Sequence, residues 1–186
     1  MTRFPSAAAA LVLVLFLPLF AGCPDGSDRK LPPPVEENRP AEPRPAIRPL
    51  QEPFDAPGFT LPDLEGNPFT MKEKRGKTVI VLFWATSSKP ACKMIEIVNA
   101  LLAGHPEATA VGLSLDQGGS DRVRDLVNEL APQFPICTFD YEVTKKWGMI
   151  REVPTIFIAD KEGKVRYSHK GYAEKAYLEP ALEALR

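Results

Sequence analysis

Cysteine thiols are the most reactive side chains in this chain of 186 residues, which carries three of them, Cys23, Cys92 and Cys137. The sequence pattern predicts Cys92 near the N-terminus of a helix, beside Lys89 and Lys93. Because a helix N-terminus and neighbouring cations stabilise a thiolate, we expect a lowered pKa and some reactivity for Cys92. A dithiol exchange reaction, however, needs a second sulfur about one helical turn away, and no cysteine stands there.

The other candidates for thiol or imidazole chemistry in the predicted α/β part are one cysteine and two histidines. Cys137 lies on a short predicted strand, where a free cysteine is commonly a small buried hydrophobic residue. If the chain is exported, Cys92 and Cys137 are an even pair of cysteines in an oxidising compartment. The residues alone therefore leave open whether the two form a disulfide. The two histidines, His105 and His169, lie in no recognisable motif, and we expect both at the surface. The residues indicate no metal site and no cofactor.

Strands and helices alternate along the part of the sequence that must position these residues. Residues 78–85 form a continuous apolar run rich in β-branched side chains, typical of a strand buried on both faces of a sheet. Apolar residues then recur at helical spacing from Ala91 to Leu102, and Gly104 follows as a stop signal. The other predicted elements are a hairpin in residues 58–70, strands at 108–115, 134–139, 154–159 and 164–168, and helices at 120–130, 141–149 and 173–186. This order predicts an α/β domain with a mixed, mostly parallel sheet flanked by helices.

The N-terminus predicts an export signal of the lipoprotein type, residues 1–22. Its apolar run is about a dozen residues long, which is shorter than the ~20 residues that cross a bilayer. Ala21 and Gly22 precede Cys23 as in a bacterial lipobox, and this resemblance implies that Cys23 becomes the lipidated first residue of the mature protein. Phe20 stands where that motif usually has leucine, so an ordinary secreted protein is the alternative.

Prolines dominate the next segment, residues 23–55, which is predicted to be a tether. Ten of the 20 prolines in the chain lie between Pro24 and Pro57. Proline lacks an amide donor and favours extended backbone, so such a tether is semi-rigid and spans at most about 3.1 Å per residue. The same composition also fits a disordered tail without a spacing role.

Four short motifs occur in a fixed order in the predicted α/β part of the chain. They are Ala56-Pro57-Gly58-Phe59-Thr60-Leu61, Gly76-Lys77, Phe83-Trp84-Ala85-Thr86 and Val153-Pro154-Thr155-Ile156-Phe157-Ile158. Their order and spacing resemble the thioredoxin superfamily, and within it the TlpA-like envelope thiol-disulfide proteins, over residues 56–186. The resemblance implies a thioredoxin-like fold with a central mixed sheet and an N-terminal hairpin extension. It also implies a cis peptide bond before Pro154 and a substrate groove formed by Trp84, Val153 and Pro154.

The same resemblance places the reactive cysteine pair of the family at Ser88 and Ala91, so that both sulfurs are absent. The helical periodicity supports this alignment of the cysteine pair with Ser88 and Ala91. Ala91 falls in the apolar stripe of the helix, whereas Cys92 lies at the edge of that stripe. Ser88 is then expected as the helix N-cap, with its hydroxyl accepting an early backbone N–H. Met94 stands where relatives often carry a carboxylate. In the sheet of the family, another strand separates Cys137 from this helix, beyond the ~7 Å Cα limit of a disulfide.

Two functional classes stay open. The first is a membrane-tethered binding or accessory module without a dithiol, in which Val153 aligns the extended backbone of an envelope protein or peptide partner. The second is a thiol-disulfide oxidoreductase that uses Cys92 with Cys137 or an external thiol, so whether the chain is an enzyme is open. Both imply an exported, lipid-anchored protein of the bacterial cell envelope that faces the periplasm or the cell exterior. The formal net charge of -1 offers no basic field for nucleic acid.

Two further branches of the superfamily have active-site motifs whose residue spacing resembles that of the residues around Cys92. Phe83 to Cys92 has the length that peroxiredoxins use between a strand and the peroxidatic cysteine, but Ala85 and Lys89 replace the proline and threonine that they need. A peroxiredoxin-like peroxidase is therefore a minor alternative. The interval from Ser88 to Cys92 resembles the copper-binding branch, but one of its two sulfurs is absent here, which disfavours copper delivery.

Overall fold

The structure of the chain is a computed structural model that describes residues 46–117 and 120–186. The predicted signal peptide, Cys23 and most of the predicted tether lie outside these residues. The described residues form a 3₁₀ helix at Met71–Lys74 and the following elements: β1 Pro49–Asp55, β2 Thr60–Pro62, β3 Pro68–Thr70, β4 Thr78–Trp84, α1 Lys89–Gly104, β5 Ala108–Ser114, α2 Ser120–Leu130, β6 Ile136–Cys137, α3 Tyr141–Lys146, β7 Thr155–Ala159, β8 Lys164–Lys170 and α4 Lys175–Ala184. None of these helices combines the length and the apolar character that a membrane crossing requires.

Six of the strands form one sheet in the order β1-β8-β7-β4-β5-β6, and β2 pairs with β3 in a separate hairpin. The pairs β4–β5 and β5–β6 are parallel, whereas β4–β7, β7–β8 and β1–β8 are antiparallel. The predicted α/β fold, mixed sheet and N-terminal hairpin are confirmed, but the prediction of a mostly parallel sheet was wrong. Three of the five strand pairs are antiparallel. One of them, β7–β8, is joined by a tight turn, closed by the Gly163 N–H on the Asp160 carbonyl at 2.9 Å, and strands joined by such a turn pair antiparallel.

Strand β4 lies inside the sheet and separates two hydrophobic cores. All seven of its residues are buried, as its apolar run predicts. Ile80, Leu82 and Trp84 belong to one core, which α1, α2 and α4 cover. Val81 and Phe83 belong to the other, which α3, the hairpin and the 3₁₀ helix cover. Because successive strand residues point to opposite faces, this one strand holds both layers together.

Strand β1 falls within the segment predicted as a tether, residues 23–55, so that boundary was wrong. It pairs with β8, where Pro49 lies opposite Tyr167. The prolines of this segment disfavour a strand prediction, because proline has no amide N–H to donate. β1 is nevertheless possible because it lies at the edge of the sheet, where the missing donor can face solvent. The chain is already fixed before β1, because Ile47 is buried and its N–H donates to the Tyr177 carbonyl at 3.0 Å.

The two histidines differ from the prediction that both lie at the surface. His105 is only 2% exposed, so the prediction was wrong for this residue. Its Nδ1 lies 3.4 Å from Glu107 Oε1 and its Nε2 lies 4.0 Å from Glu179 Oε1, and these carboxylates offset the cost of burying a polar ring. His169 is half-buried, and its ring lies edge-on to that of Tyr177 with the centroids 5.0 Å apart.

Close packing at Gly112 on β5 predicts that Gly112→Ala destabilises the protein. A Cβ at this position would lie 2.4 Å from Ile136 Cδ1 and 3.3 Å from Trp84 Nε1, so core side chains must move. Overpacking of this kind costs about 1–3 kcal/mol in the free energy of unfolding, which urea denaturation measures.

Gly58→Ala is the matched control, because no atom lies within 4 Å of the Cβ that it would add. Adding Ile136→Val to Gly112→Ala removes the methyl group that the new Cβ meets, so the pair should lose less stability than the sum of the two single changes. Equal stability of the Gly112→Ala and Gly58→Ala variants would contradict the packing described here.

Candidate functional site

The loop between β4 and α1 and the first turn of α1 hold the two positions at which the resemblance places reactive cysteines. Ser88 has the extended backbone of a helix N-cap, with φ -106° and ψ 101°. Its hydroxyl oxygen accepts the Ala91 N–H at 3.3 Å, and its carbonyl accepts the Cys92 N–H at 3.0 Å. The predicted N-cap is confirmed, and the Ser88 hydroxyl stabilises the start of α1.

The second position, Ala91, belongs to the hydrophobic core. Its side chain is fully buried, and so is that of Met94 one turn later. The Met94 sulfur accepts the Ala173 N–H at 3.4 Å, which ties α1 to the segment before α4. A methyl group and a thioether therefore occupy the places where dithiol chemistry needs a resolving sulfur and a proton carrier.

Cys92 is half-buried beside these positions, and its thiol does not have the predicted pKa. Burial is the largest influence and raises the pKa above its ordinary value of 9.0, a hydrogen bond with the backbone lowers it by less, and the carboxylates of Asp116 and Glu129 raise it further. The prediction of a lowered pKa was wrong because burial of the thiol outweighs the hydrogen bond with the backbone. Lys89 and Lys93 are exposed, where water and salt screen their charges.

Asp116 joins the β4–α1 loop to the end of the neighbouring strand, a role that the sequence analysis did not predict. One carboxylate oxygen accepts the Thr86 N–H at 2.9 Å and the Ser114 hydroxyl at 2.8 Å, and the other accepts the Thr86 hydroxyl at 2.7 Å. Burial raises the pKa of Asp116, but these hydrogen bonds and the charge of Arg122 outweigh burial and lower it. The signal that could have revealed Asp116 was its position after β5, because the carboxyl ends of parallel strands meet at one edge of a sheet.

The segment before β7 lies at the same edge of the sheet. Phe83 pairs with Thr155, which places Pro154 beside the end of β4. The Val153–Pro154 peptide bond is cis, and the Gly171 N–H donates to the Pro154 carbonyl at 2.8 Å. Val153 is half-buried, and within the described residues its backbone N–H and C=O make no hydrogen bond. The structure thus presents a backbone donor and acceptor next to the β4–α1 loop.

Trp84, which the resemblance places in the substrate groove, lies in the core instead. Its side chain is fully buried, so an incoming ligand cannot reach it. Trp147 is also buried, and its ring centroid lies 5.9 Å from that of Phe83 and 5.1 Å from that of Phe157. Both tryptophans are therefore packing residues.

Three large apolar side chains are exposed around this edge. Tyr141 begins α3 just after β6, Met149 precedes Val153 in the same loop, and Tyr172 follows β8. They are 54%, 41% and 46% exposed, and Phe54 on β1 is the only other large apolar residue of the described chain with comparable exposure. Met149 also has a φ of 53°, an uncommon conformation for a residue with a side chain. We call the set of Tyr141, Met149, Val153 and Tyr172, which lie in segments at this end of the sheet, the apolar edge.

Cys137 is fully buried, as predicted, and burial together with the Asp63 carboxylate raises the pKa of its thiol to about 12. It belongs to the core on the α3 side of the sheet, whereas Cys92 packs against the core on the α1 side. Both thiols are free, and a disulfide between them would have to cross the sheet. In residues 46–117 and 120–186, no group of three or more His, Cys, Asp or Glu side chains is placed to hold a metal ion.

The hydrogen bonds of Asp116 predict that Asp116→Asn destabilises the protein by about 1–3 kcal/mol at neutral pH, because an amide nitrogen would face the donors of Thr86 or Ser114. The pKa of this carboxyl is lowered from 3.8, so its stabilisation is present above that value and disappears as the pH falls through the folded-state pKa. Urea unfolding of the parent and the variant across this pH range measures the difference.

Asp125→Asn on α2 removes the same charge from an exposed position and serves as the control. It should change the free energy of unfolding by at most about 0.5 kcal/mol. A stability difference between the Asp116 variant and the parent that persists unchanged at low pH would mean that the ionised carboxylate is not the stabilising group.

The chain is similar to known proteins in sequence and in fold. The chain matches the family described as the AhpC/TSA family over residues 54–168. The thiol-disulfide oxidoreductase ResA of Bacillus thuringiensis subsp. konkukian is 34% identical over 133 residues, which cover 70% of this chain and 76% of the relative.

Two solved structures show the same fold at lower identity. A putative thiol:disulfide interchange protein DsbE from Chlorobium tepidum is 24% identical with a TM-score of 0.63, over 73% of this chain and 95% of that one. A secreted Mycobacterium tuberculosis disulfide oxidoreductase is 18% identical with a TM-score of 0.61, over 68% and 96% of the two chains. Because the family match spans more than half of the chain and the fold is shared, this protein belongs to the AhpC/TSA family and is a TlpA-like member of the thioredoxin superfamily.

Proposed function

We propose that this protein is a membrane-tethered, thioredoxin-fold binding module of the cell envelope that holds a polypeptide partner without dithiol chemistry. The observation that carries the proposal is the state of the two dithiol positions. Ser88 uses its hydroxyl to cap α1, and Ala91 presents only a buried methyl group. Neither side chain can form or accept a disulfide.

Reduction of a disulfide transfers two electrons from two thiols, one that attacks a sulfur and one that resolves the mixed disulfide. Cys92 alone could attack, but it could not resolve the mixed disulfide that it forms. Cys137 cannot serve as the second thiol, because it is fully buried on the opposite face of the sheet. The oxidoreductase alternative therefore depends on an external thiol and on a Cys92 thiol whose raised pKa keeps it protonated at neutral pH.

The apolar edge supports binding. Val153 offers a backbone N–H and C=O that can pair with an extended strand of a partner, as in β-strand addition. Met149, four residues before Val153, and Tyr172, which follows β8, supply exposed apolar side chains at the same end of the sheet. An extended polypeptide with apolar side chains has the chemistry that this surface would recognise.

Export and anchoring are part of the same proposal. The predicted signal peptide ends before Cys23, the candidate lipidation site, and the proline-rich segment that follows would hold the domain away from a membrane. A protein of the same fold is described as a secreted disulfide oxidoreductase, which supports the export part of this proposal.

The absence of the dithiol predicts that the protein does not accelerate reduction of insulin disulfides by dithiothreitol, and that Cys92→Ser leaves this result unchanged. Introducing Ser88→Cys and Ala91→Cys into the Cys92→Ser variant should raise the rate by about tenfold or more, because the fold then holds two sulfurs one turn apart at a helix N-terminus. Turbidity of the precipitating insulin B chain reports the rate.

The matched control carries Ser87→Cys in place of Ser88→Cys, again with Ala91→Cys and Cys92→Ser. It has the same two new sulfurs at the wrong spacing, and we expect no acceleration. Insulin reduction by the unmodified protein that disappears in Cys92→Ser would refute the binding-module function and favour the thiol alternative.

The apolar edge predicts the site of polypeptide binding. With a photo-crosslinking amino acid at Tyr172, the chain should form adducts with carboxymethylated insulin B chain, an unfolded polypeptide that has no free thiol. The same amino acid at Phe54 is the control, because Phe54 is exposed to a similar degree but lies on β1. Met149→Lys should lower the Tyr172 yield about fivefold through loss of apolar contact. Equal yields at Tyr172 and Phe54 would contradict binding at the apolar edge.

A further inference from the structure

A small cavity lies at the opposite end of the sheet from the β4–α1 loop. Its volume is about 190 Å³, and Val79 near the start of β4 lines it together with residues from the 3₁₀ helix and from the β7–β8 turn. Val79 pairs with Ala159 at the end of β7, which fixes this end of the sheet. The cavity is below the size range of sites for drug-sized ligands, so it suits a group of a few atoms.

Three cationic side chains line the cavity, Lys72, Lys74 and Arg75. Within the described part of the chain, none of them forms an ion pair with a carboxylate. Lys74 Nζ lies 5.1 Å from the centroid of the Phe69 ring, and Arg75 donates to the Glu162 carbonyl oxygen. These contacts orient the two side chains but leave their positive charges without a counter-charge.

One carboxylate also lines the cavity, that of Asp160, and it already has partners. It accepts the Lys164 N–H at 2.8 Å and pairs with the Arg166 guanidinium. Burial opposes ionisation of Asp160, but these two partners outweigh burial and lower its pKa, so the group stays charged at neutral pH. Because Arg166 offsets this negative charge, the field of the three other cations in the cavity is not cancelled.

Gly163 leaves space for the guanidinium of Arg75 at the rim of the cavity. Gly163 has a φ of 79°, and a Cβ on it would lie 3.2 Å from Arg75 Cζ. A side chain at this position would therefore press on the guanidinium, whereas glycine lets Arg75 lie against the backbone of the turn. Arg75 is held at one end by the Glu162 carbonyl and keeps its other N–H donors for a ligand.

We propose that this cavity binds a phosphate group, with Arg75 and Lys72 as the main ligands and Lys74 as a third cation. A guanidinium matches the geometry of phosphate oxygens with paired N–H donors, and lysine ammonium groups bind phosphate as point charges. The phosphate can come from a soluble phosphate compound or from the headgroup of an anionic phospholipid, since both present the same oxygen atoms. This site is independent of the apolar edge and of the function proposed for it.

The experiment measures the acetylation rate of single lysines by mass spectrometry in the full chain, held in neutral detergent micelles. Inorganic phosphate is compared with chloride at equal ionic strength, so that general screening is the same in both. We expect phosphate to slow acetylation of Lys72 and Lys74 about threefold when it fills two-thirds of the sites, and to leave Lys145 unchanged. Lys145 is an exposed lysine on α3, outside the lining of the cavity, so it reports any general effect of phosphate on the acetylation reaction.

Arg75→Gln should abolish the protection of Lys72, whereas Arg151→Gln, the loss of an exposed arginine elsewhere, should preserve it. A second arm places the full chain in vesicles of phosphatidylcholine with or without phosphatidylglycerol. Protection of Lys72 by phosphatidylglycerol identifies a lipid headgroup as the source, and protection by inorganic phosphate alone identifies a soluble one. Absence of protection in both arms, or protection that survives Arg75→Gln, would overturn the phosphate site.

Discussion

The carboxylate of Asp116 is the constraint on which the arrangement of the site depends. It joins the first residues after β4 to the end of β5 through two hydrogen bonds from Thr86 and one from Ser114. The direction in which the chain enters α1 follows from this anchor, and the Ser88 N-cap completes the turn. None of these interactions involves a sulfur atom, so the loop keeps its geometry although the cysteines of the family pattern are absent.

The same anchor explains why Cys92 does not replace the missing pair. Because the loop and the N-cap fix the phase of α1, Ala91 faces the core and Cys92 lies one residue away, at the edge of the buried stripe. The carboxylate that positions the loop also disfavours a thiolate at Cys92. A rearrangement that brought Cys92 into the dithiol position would have to rotate the helix and expose Ala91 and Met94, which are fully buried.

The order of elements, the hairpin, the N-cap at Ser88 and the burial of Cys137 were predictable, because each follows from local periodicity or from the chemistry of one residue. The parts that failed depend on contacts between distant segments. The strand at Pro49 forms because β8 offers an edge, and the burial of His105 depends on Glu179 in α4. The raised pKa of Cys92 reflects first the burial of its thiol and then two carboxylates, one just after β5 and one on α2. Asp116 was missed for the same reason, since its partner Thr86 is 30 residues away.

The two ends of β4 carry surfaces of different chemistry. Seven residues at about 3.3 Å each separate the cationic cavity at one end from the apolar edge at the other by about 20 Å. A phosphate group bound by Arg75 and Lys72 therefore leaves Val153 and its apolar neighbours free. If that phosphate belongs to a lipid headgroup, the cationic end faces the membrane and the apolar edge points away from it. In that orientation the backbone of Val153, which makes no hydrogen bond within the described residues, faces extended polypeptides instead of lipid.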